Sequence, residues 1–195
     1  MSKRMFDIIC SILSLLLLFP FLIVVGLLIR VSSKGPAIFK QQRIGLNNKY
    51  FTIYKFRTMD INAPNVASDK VNPDEYSTGI GKVLRDTSID ELPQLWNILI
   101  GDMSFVGPRP PLTYHPWPIN EYTSEQKRMF EVRPGITGWA QVHGRKEVEW
   151  HKRIKMNVWY VDHISFLLDL KIIFMTVFKV LSNADNENVK ETVSK

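Results

Sequence analysis

Ile8-Ile9-Cys10-Ser11-Ile12-Leu13-Ser14-Leu15-Leu16-Leu17-Leu18-Phe19-Pro20-Phe21-Leu22-Ile23-Val24-Val25-Gly26-Leu27-Leu28-Ile29 is the stretch on which the fold turns. It contains no charged residue; Lys3, Arg4 and Asp7 precede it, and Arg30 and Lys34 follow. A helix of this length spans the core of a bilayer. A cleaved signal peptide does not fit, because the run is too long and no small-residue cleavage site follows it. A buried core helix, apolar on all sides, would need a larger domain around it. Pro20 lacks a backbone donor and meets the carbonyl of Leu16, so a kink is expected there. Lys3 and Arg4 lie before the run and Arg30, Lys34, Lys40 and Arg43 after it, so the positive-inside tendency puts both flanks on the cytoplasmic face. A kinked re-entrant hairpin satisfies both observations. Its arms of about 10–12 residues would each reach roughly 15–18 Å, about half the hydrocarbon thickness. Proline is tolerated in membrane helices, so the residues alone leave the spanning and re-entrant readings level.

Outside this run the chain reads as a water-facing domain. Its 195 residues are 45% hydrophobic, which allows one core plus an appendage. A mean hydropathy of -0.07 excludes a protein of many membrane spans but permits one membrane segment. The net charge of +6 suits an anionic partner: phosphates, anionic lipid or nucleic acid. Cys10 is the single cysteine, which excludes a disulfide framework and a Cys-based zinc site.

Gly35-Pro36 ends the apolar pattern. Ile38 to Arg43 and Tyr50 to Arg57, separated by the turn-forming Gly45-Leu46-Asn47-Asn48, read as a β-hairpin. On the second strand Phe51, Ile53, Lys55 and Arg57 alternate with Tyr50, Thr52, Tyr54 and Phe56. Basic and aromatic interleaving can bind single-stranded nucleic acid; the preferred reading is a half-buried strand whose cationic stems cover apolar surface. Residues 60–80 read as a loop and Ser88 to Leu99 as a helix. The five prolines in 108–118 (Pro108, Pro110, Pro111, Pro116, Pro118) exclude a helix there. A short helix near Ser124 to Val132 precedes a turn of type II character over Arg133 to Trp139. A last helical region runs from about Val148 to Leu181, with an expected interruption near His163 to Ser165, and part of it could lie along a membrane interface.

The chemistry is concentrated in Arg85-Asp86-Thr87-Ser88-Ile89-Asp90-Glu91-Leu92-Pro93-Gln94-Leu95. Pro93 must fall in the first turn of a helix, which places the helix start close to Asp90. There the dipole and free N–H groups favour an ionised carboxylate and an incoming phosphate. A capping box of Ser88 with Glu91 is the competing arrangement. By itself, Asp-Glu before Leu-Pro is more often capping than catalysis. Arg85, the Gly101-Asp102 and Val106-Gly107-Pro108-Arg109-Pro110 turns, and the membrane segment raise the catalytic reading. Arg85 and Arg109, expected in loops flanking this helix, are candidate phosphate contacts. His115, His143, His151 and His163 lack metal-ligand spacing, and His143 in its glycine-flanked turn is singled out for testing. The tryptophans suit an interfacial belt, with core packing at least as good an account of Trp96.

The chain resembles the bacterial sugar transferases, the monotopic phosphoglycosyl transferases in their minimal form. The resemblance runs through Met5-Phe6-Asp7-Ile8, Gly35-Pro36-Ala37-Ile38-Phe39-Lys40-Gln41, Tyr54-Lys55-Phe56-Arg57-Thr58-Met59 and Thr87-Ser88-Ile89-Asp90-Glu91-Leu92-Pro93-Gln94. It continues in Gly101-Asp102-Met103-Ser104, Val106-Gly107-Pro108-Arg109-Pro110 and Arg133-Pro134-Gly135-Ile136-Thr137-Gly138-Trp139-Ala140-Gln141-Val142. It implies transfer of a sugar-1-phosphate from a UDP-sugar to polyprenyl phosphate with release of UMP. Asp90 would be the nucleophile, Glu91 would help hold Mg²⁺, and Arg85 and Arg109 would bind phosphate. Pro20 matches the family's helix-breaking proline and tips the topology toward the hairpin. Phe19, where many members carry Ser, His143, where Asn is common, and Asn157 and His163 depart from the pattern and bear on the sugar pocket.

The expected fold is α+β: a re-entrant helix kinked at Pro20, a β-hairpin, and several catalytic and interfacial helices. Residues 1–34 would be membrane-embedded, 35–181 a catalytic domain on the cytoplasmic face of a bacterial membrane, and 182–195 a polar tail. UDP-sugar, polyprenyl phosphate and membrane lipid are the expected partners, nucleic acid is not, and a homodimer is compatible with the reading. Two other classes compete: an inactive membrane-tethered scaffold, in which the acidic pair and arginines should have decayed, and a nucleic-acid binder with steep salt dependence.

Overall fold

A computed structural model of the chain describes residues 3–64, 73–144 and 149–181. The expected tail 182–195, Val148 at the start of the last helix and Arg145 of the His143 turn lie outside these residues. Helices and short two-stranded sheets build a mixed fold, as expected. The chain divides into two compact units: residues 1–43 with 50–104, and residues 44–49 with 105–195.

The first unit opens with α1, Lys3–Ser32, which runs through Pro20. Among the described residues it is the helix long and apolar enough to cross a membrane, and only 11% of its most apolar window is buried. A core helix would be covered on most sides. Here Leu13, Leu16, Leu17 and Phe19 are exposed, so the apolar face around Pro20 lacks a protein partner within the unit and suits lipid. The two ends of α1 are nevertheless anchored. Arg4 donates to the carbonyls of Ile98 (2.6 Å) and Leu99 (2.8 Å), and buried Asp7 accepts from Ser104 Oγ at 3.1 Å. Beyond Pro20, Leu22, Val25 and Ile29 pack with Phe56, Leu84, Ile80 and Ile89.

The hairpin is as the alternation predicts: β1, Ile38–Ile44, pairs with β2, Tyr50–Phe56. Asn47 (φ 53°) and Asn48 (φ 60°) supply the left-handed residues of the turn. Ile53 and Phe56, of opposite parity, are both buried, so β2 is covered on both faces. Arg57, also buried, donates to the carbonyls of Pro36 (2.8 Å), Lys34 (2.6 Å) and Ser33 (3.0 Å) and to Ser33 Oγ (2.9 Å). It holds the exit of α1 against the end of β2.

The expected loop over 60–80 is corrected in part. It contains α2, Pro73–Tyr76, and the first residues of α3, Gly79–Asp86. Thr78 caps α3 by accepting from the Gly81 amide at 3.0 Å. Gly79 and Gly81 have low helix propensity. Gly81 is required because a Cβ at that position would meet the Thr58 carbonyl oxygen at 2.0 Å. The expected helix over Ser88 to Leu99 is a 3₁₀ turn, Ile89–Glu91, followed by α4, Gln94–Ile100.

The second unit takes residues 44–49 and resumes at the last two residues of β3, Ser104–Val106, which pairs with β4, Gly135–Thr137. This pairing corrects the isolated turn expected over Arg133 to Trp139; three-residue strands carry too few residues for a period to show. The proline stretch 108–118 is non-helical as expected. Next come α5, Ser124–Lys127, and a 3₁₀ turn, Arg128–Phe130, in place of one short helix. Then follow α6, Trp139–Val142; α7, Trp150–Asp162; and α8, Phe166–Leu181. The break between α7 and α8 falls at His163–Ser165, where it was expected. Ile44, Tyr122, Met129, Phe130, Ile154 and Val158 form one core cluster of this unit. Val106, Val142, Tyr160 and Ile172 form another.

Candidate active site

Ser88 adopts the left-handed region (φ 59°), which turns the chain out of α3 and into the Ile89–Glu91 turn. Leu92 and Pro93 keep helical dihedrals, and Pro93, not Asp90, occupies the N-cap position of α4. The helical winding is therefore tight from Ile89 onward, with Leu92 N bonded to Ile89 O and Leu95 N to Leu92 O. Ser88 makes no capping bond through its side chain, which corrects the capping box, and the cap position of α4 falls three residues beyond Asp90. As the N-cap of α4, Pro93 precedes the helix's own hydrogen-bonded residues, so its lack of an N–H costs α4 nothing. A seven-residue helix has a small dipole, so the charge balance here rests on side chains.

The decisive side chain is Lys55 of β2. Its Nζ lies 2.5 Å from Glu91 Oε1 and 3.7 Å from Asp90 Oδ2. Asp90 is buried, and the Lys55 and Glu91 side chains are only 15% and 17% exposed, so little solvent screens the three charges. Lys55 thus offsets part of the negative charge of the two carboxylates. Lys55 is the site residue that the sequence reading missed. The signal was its parity: it shares a face with buried Ile53 and buried Arg57, an unusual face for a lysine meant for solvent.

Arg85 belongs to the last turn of α3, not to a loop. It donates from Nη2 to Thr58 Oγ1 at 2.9 Å. The first unit thus brings together Asp90, Glu91 and Lys55, with Arg85 held beside the end of β2. Arg109 belongs to the second unit, where it is exposed between buried Pro108 and Pro110. Pro20 is exposed within α1.

Two carboxylates fit Mg²⁺ under one condition. Among the described residues no three His, Cys, Asp or Glu side chains gather as a ligand set. Mg²⁺ is commonly held by one or two carboxylates plus substrate phosphates, and Asp90 with Glu91 meet that pattern once phosphate oxygens complete the shell.

Among the histidines, exposed His143 pairs Nδ1 with the Trp139 carbonyl (2.8 Å), and His163 does the same with Trp159 (2.8 Å). The rings of Trp139, Trp159 and His163 stack in series, and His143 meets Trp139 at a tilt of 45°. Trp96, for which an interfacial place and core packing were both open, is half exposed.

With this geometry in hand, comparison with known proteins gives the class: the chain belongs to the bacterial sugar transferase family, whose model matches residues 1–183. The uncharacterized sugar transferase EpsL of Bacillus subtilis (strain 168) is 45% identical over 191 residues, covering 97% of this chain and 91% of EpsL. The exopolysaccharide production protein PSS of Rhizobium leguminosarum bv. phaseoli is 40% identical over 190 residues, covering 92% of this chain and 95% of PSS. The UDP-glucose:undecaprenyl-phosphate glucose-1-phosphate transferase of Klebsiella pneumoniae is 43% identical over 188 residues. That match covers 93% of this chain but only 40% of the Klebsiella protein.

Proposed function

We propose that this chain is a phosphoglycosyl transferase that moves a sugar-1-phosphate from a UDP-sugar to polyprenyl (undecaprenyl) phosphate and releases UMP. This is the first membrane step in building a polysaccharide or glycan. The observation that carries the reading is the convergence of Asp90 and Glu91 on Lys55 in a chain of this family. A relative named for glucose-1-phosphate transfer to undecaprenyl phosphate supports the substrate class.

Asp90 is the nucleophile. One of its oxygens attacks the phosphorus that bears the sugar, the bond from that phosphorus to the UMP oxygen breaks, and UMP leaves with the electron pair. An oxygen of polyprenyl phosphate then attacks the same phosphorus, and Asp90 departs as a carboxylate. Neither step needs a proton, so an ionised carboxylate needs no general base. Lys55 and Arg85 offset the repulsion between the anionic nucleophile and the phosphate, as positioning and electrostatics dominate phosphoryl transfer. Arg109 binds a substrate phosphate. Mg²⁺ held by Glu91 and the diphosphate would neutralise charge building on the leaving phosphate.

The re-entrant topology draws support from the anchoring of α1. Arg4 and Asp7 before Pro20, and Leu22, Val25 and Ile29 after it, all engage the same unit. A spanning helix would carry its two ends to opposite sides of a core about 30 Å thick. Basic flanks favour the cytoplasmic face for both ends, where the sugar nucleotide is to be had.

The test is release of UMP from a panel of UDP-sugars with undecaprenyl phosphate, with and without Mg²⁺. The wild-type chain should turn over one or more of them, and Asp90→Asn none. Wild-type turnover by Asp90→Asn sinks the nucleophile assignment; absence of UMP release by the wild-type chain with every sugar sinks the reaction.

A further inference from the structure

Asn97 is fully buried in the middle of α4, where an asparagine has little reason to be. Both N–H donors of its amide head and the carbonyl oxygen are engaged. Oδ1 accepts from the Tyr54 amide at 3.1 Å, while Nδ2 donates to the Thr52 carbonyl at 2.7 Å and to Asp102 Oδ2 at 3.3 Å. In a strand, the C=O of one residue and the N–H of the residue two further on point to the same edge. Thr52 and Tyr54 are such a pair, so the Asn97 side chain takes the place of a neighbouring strand on the edge of β2. The amide is a peptide mimic that joins β2 to α4 at a set register.

That register has a consequence one residue away. Lys55 follows Tyr54 directly, and Asp90 and Glu91 lie at the head of the winding that continues into α4. We propose that Asn97 is a positioning residue: it locks β2 against α4 so that Lys55 meets the Asp90–Glu91 pair. Its catalytic consequence rests on the reading of that pair as the reacting group; its structural content does not. Asp102, through its bond to Nδ2, holds the amide in the required orientation.

The test uses the full chain in detergent or native-like bilayers, with Asn97→Leu, which keeps roughly the volume and removes the amide, and Asn97→Ala. Competitive acetylation followed by mass spectrometry reads Lys55 against the exposed Lys40 and Lys49. Lys55 should label slowly in the wild-type chain and about tenfold faster in Asn97→Leu, because a charge-assisted hydrogen bond is lost. Leu84→Ala, a core change in the same unit, should leave the Lys55 ratio unchanged even where it lowers the melting temperature as much. Unchanged Lys55 labelling in both Asn97 variants overturns the proposal, as does an equal rise in Leu84→Ala. The UMP assay supplies the second arm. Asn97→Leu should lower kcat, but Asn97→Leu/Lys55→Met should be no slower than Lys55→Met alone, since the two act through one contact. Independent, multiplying losses overturn the positioning role. If Asp90→Asn still turns over, the proposed reaction fails, while the labelling result stands or falls by itself.

Discussion

At the scale of single residues, Lys55 changes the character of the acidic pair. In the proposed mechanism a carboxylate that attacks a phosphate gains from a fixed cation in a poorly screened place, and such a charge-assisted contact is worth more than a surface ion pair. Lys55→Met should therefore lower kcat/KM for the UDP-sugar by about 10–100-fold, read in the UMP assay, with a smaller change in melting temperature. Equal kcat/KM in the variant and the wild-type chain would show Lys55 to be structural. Glu91→Gln separates the two carboxylates. It keeps the shape and removes a charge, so the Mg²⁺ concentration for half-maximal rate should rise by about tenfold or more, whereas Asp90→Asn should remove turnover at every Mg²⁺ concentration. The adjacency of Asp90 and Glu91, and of both to Pro93, is covalent and was legible in the sequence. Lys55 lies thirty-six positions from Glu91, and nothing local to either residue states that they meet.

Among the elements, buried polar side chains do the joining that short strands and helices cannot do alone. Arg57 closes the exit of α1 with donors to three carbonyls and a hydroxyl. Lysine cannot reproduce a planar fork, so Arg57→Lys should cost on the order of 2–3 kcal/mol. A thermal melt in detergent should show a fall of roughly 5–10 °C, and no fall would remove Arg57 from the account of that turn. The β3–β4 pair depends instead on close approach. A Cβ at Gly135 would lie 2.1 Å from Gly107 N and 2.2 Å from Thr137 O, contacts that only backbone movement could relieve. Gly135→Ala should prevent this pairing and lower the yield of folded protein, seen as loss of a cooperative melt. The hairpin of β1 and β2 and the break between α7 and α8 were readable because alternation and turn residues are local signals. α3, β3 and β4 were hidden by glycines and by their brevity, and their necessity is visible only in what each glycine touches.

For the whole molecule, the question is how the long apolar helix α1 serves the proposed transfer to a lipid phosphate. Both ends of α1 are fastened to one unit while Leu13, Leu16, Leu17 and Phe19 remain uncovered. Single cysteines placed before Asp7 and after Lys34, in a Cys10→Ser background, should react from the same side of sealed vesicles; labelling from opposite sides refutes the hairpin. Composition, periodicity and adjacency were enough for the apolar helix, the hairpin and the paired carboxylates, because each is written in neighbouring residues, while the ordered motif blocks carried the family resemblance. The tertiary structure alone decided that Lys55 faces that pair, that Asn97 serves as a strand for β2, and that Arg4 and Arg57 secure the two ends of α1. Those contacts join positions distant in the chain, and their energy exists only once burial has removed water as the competing partner.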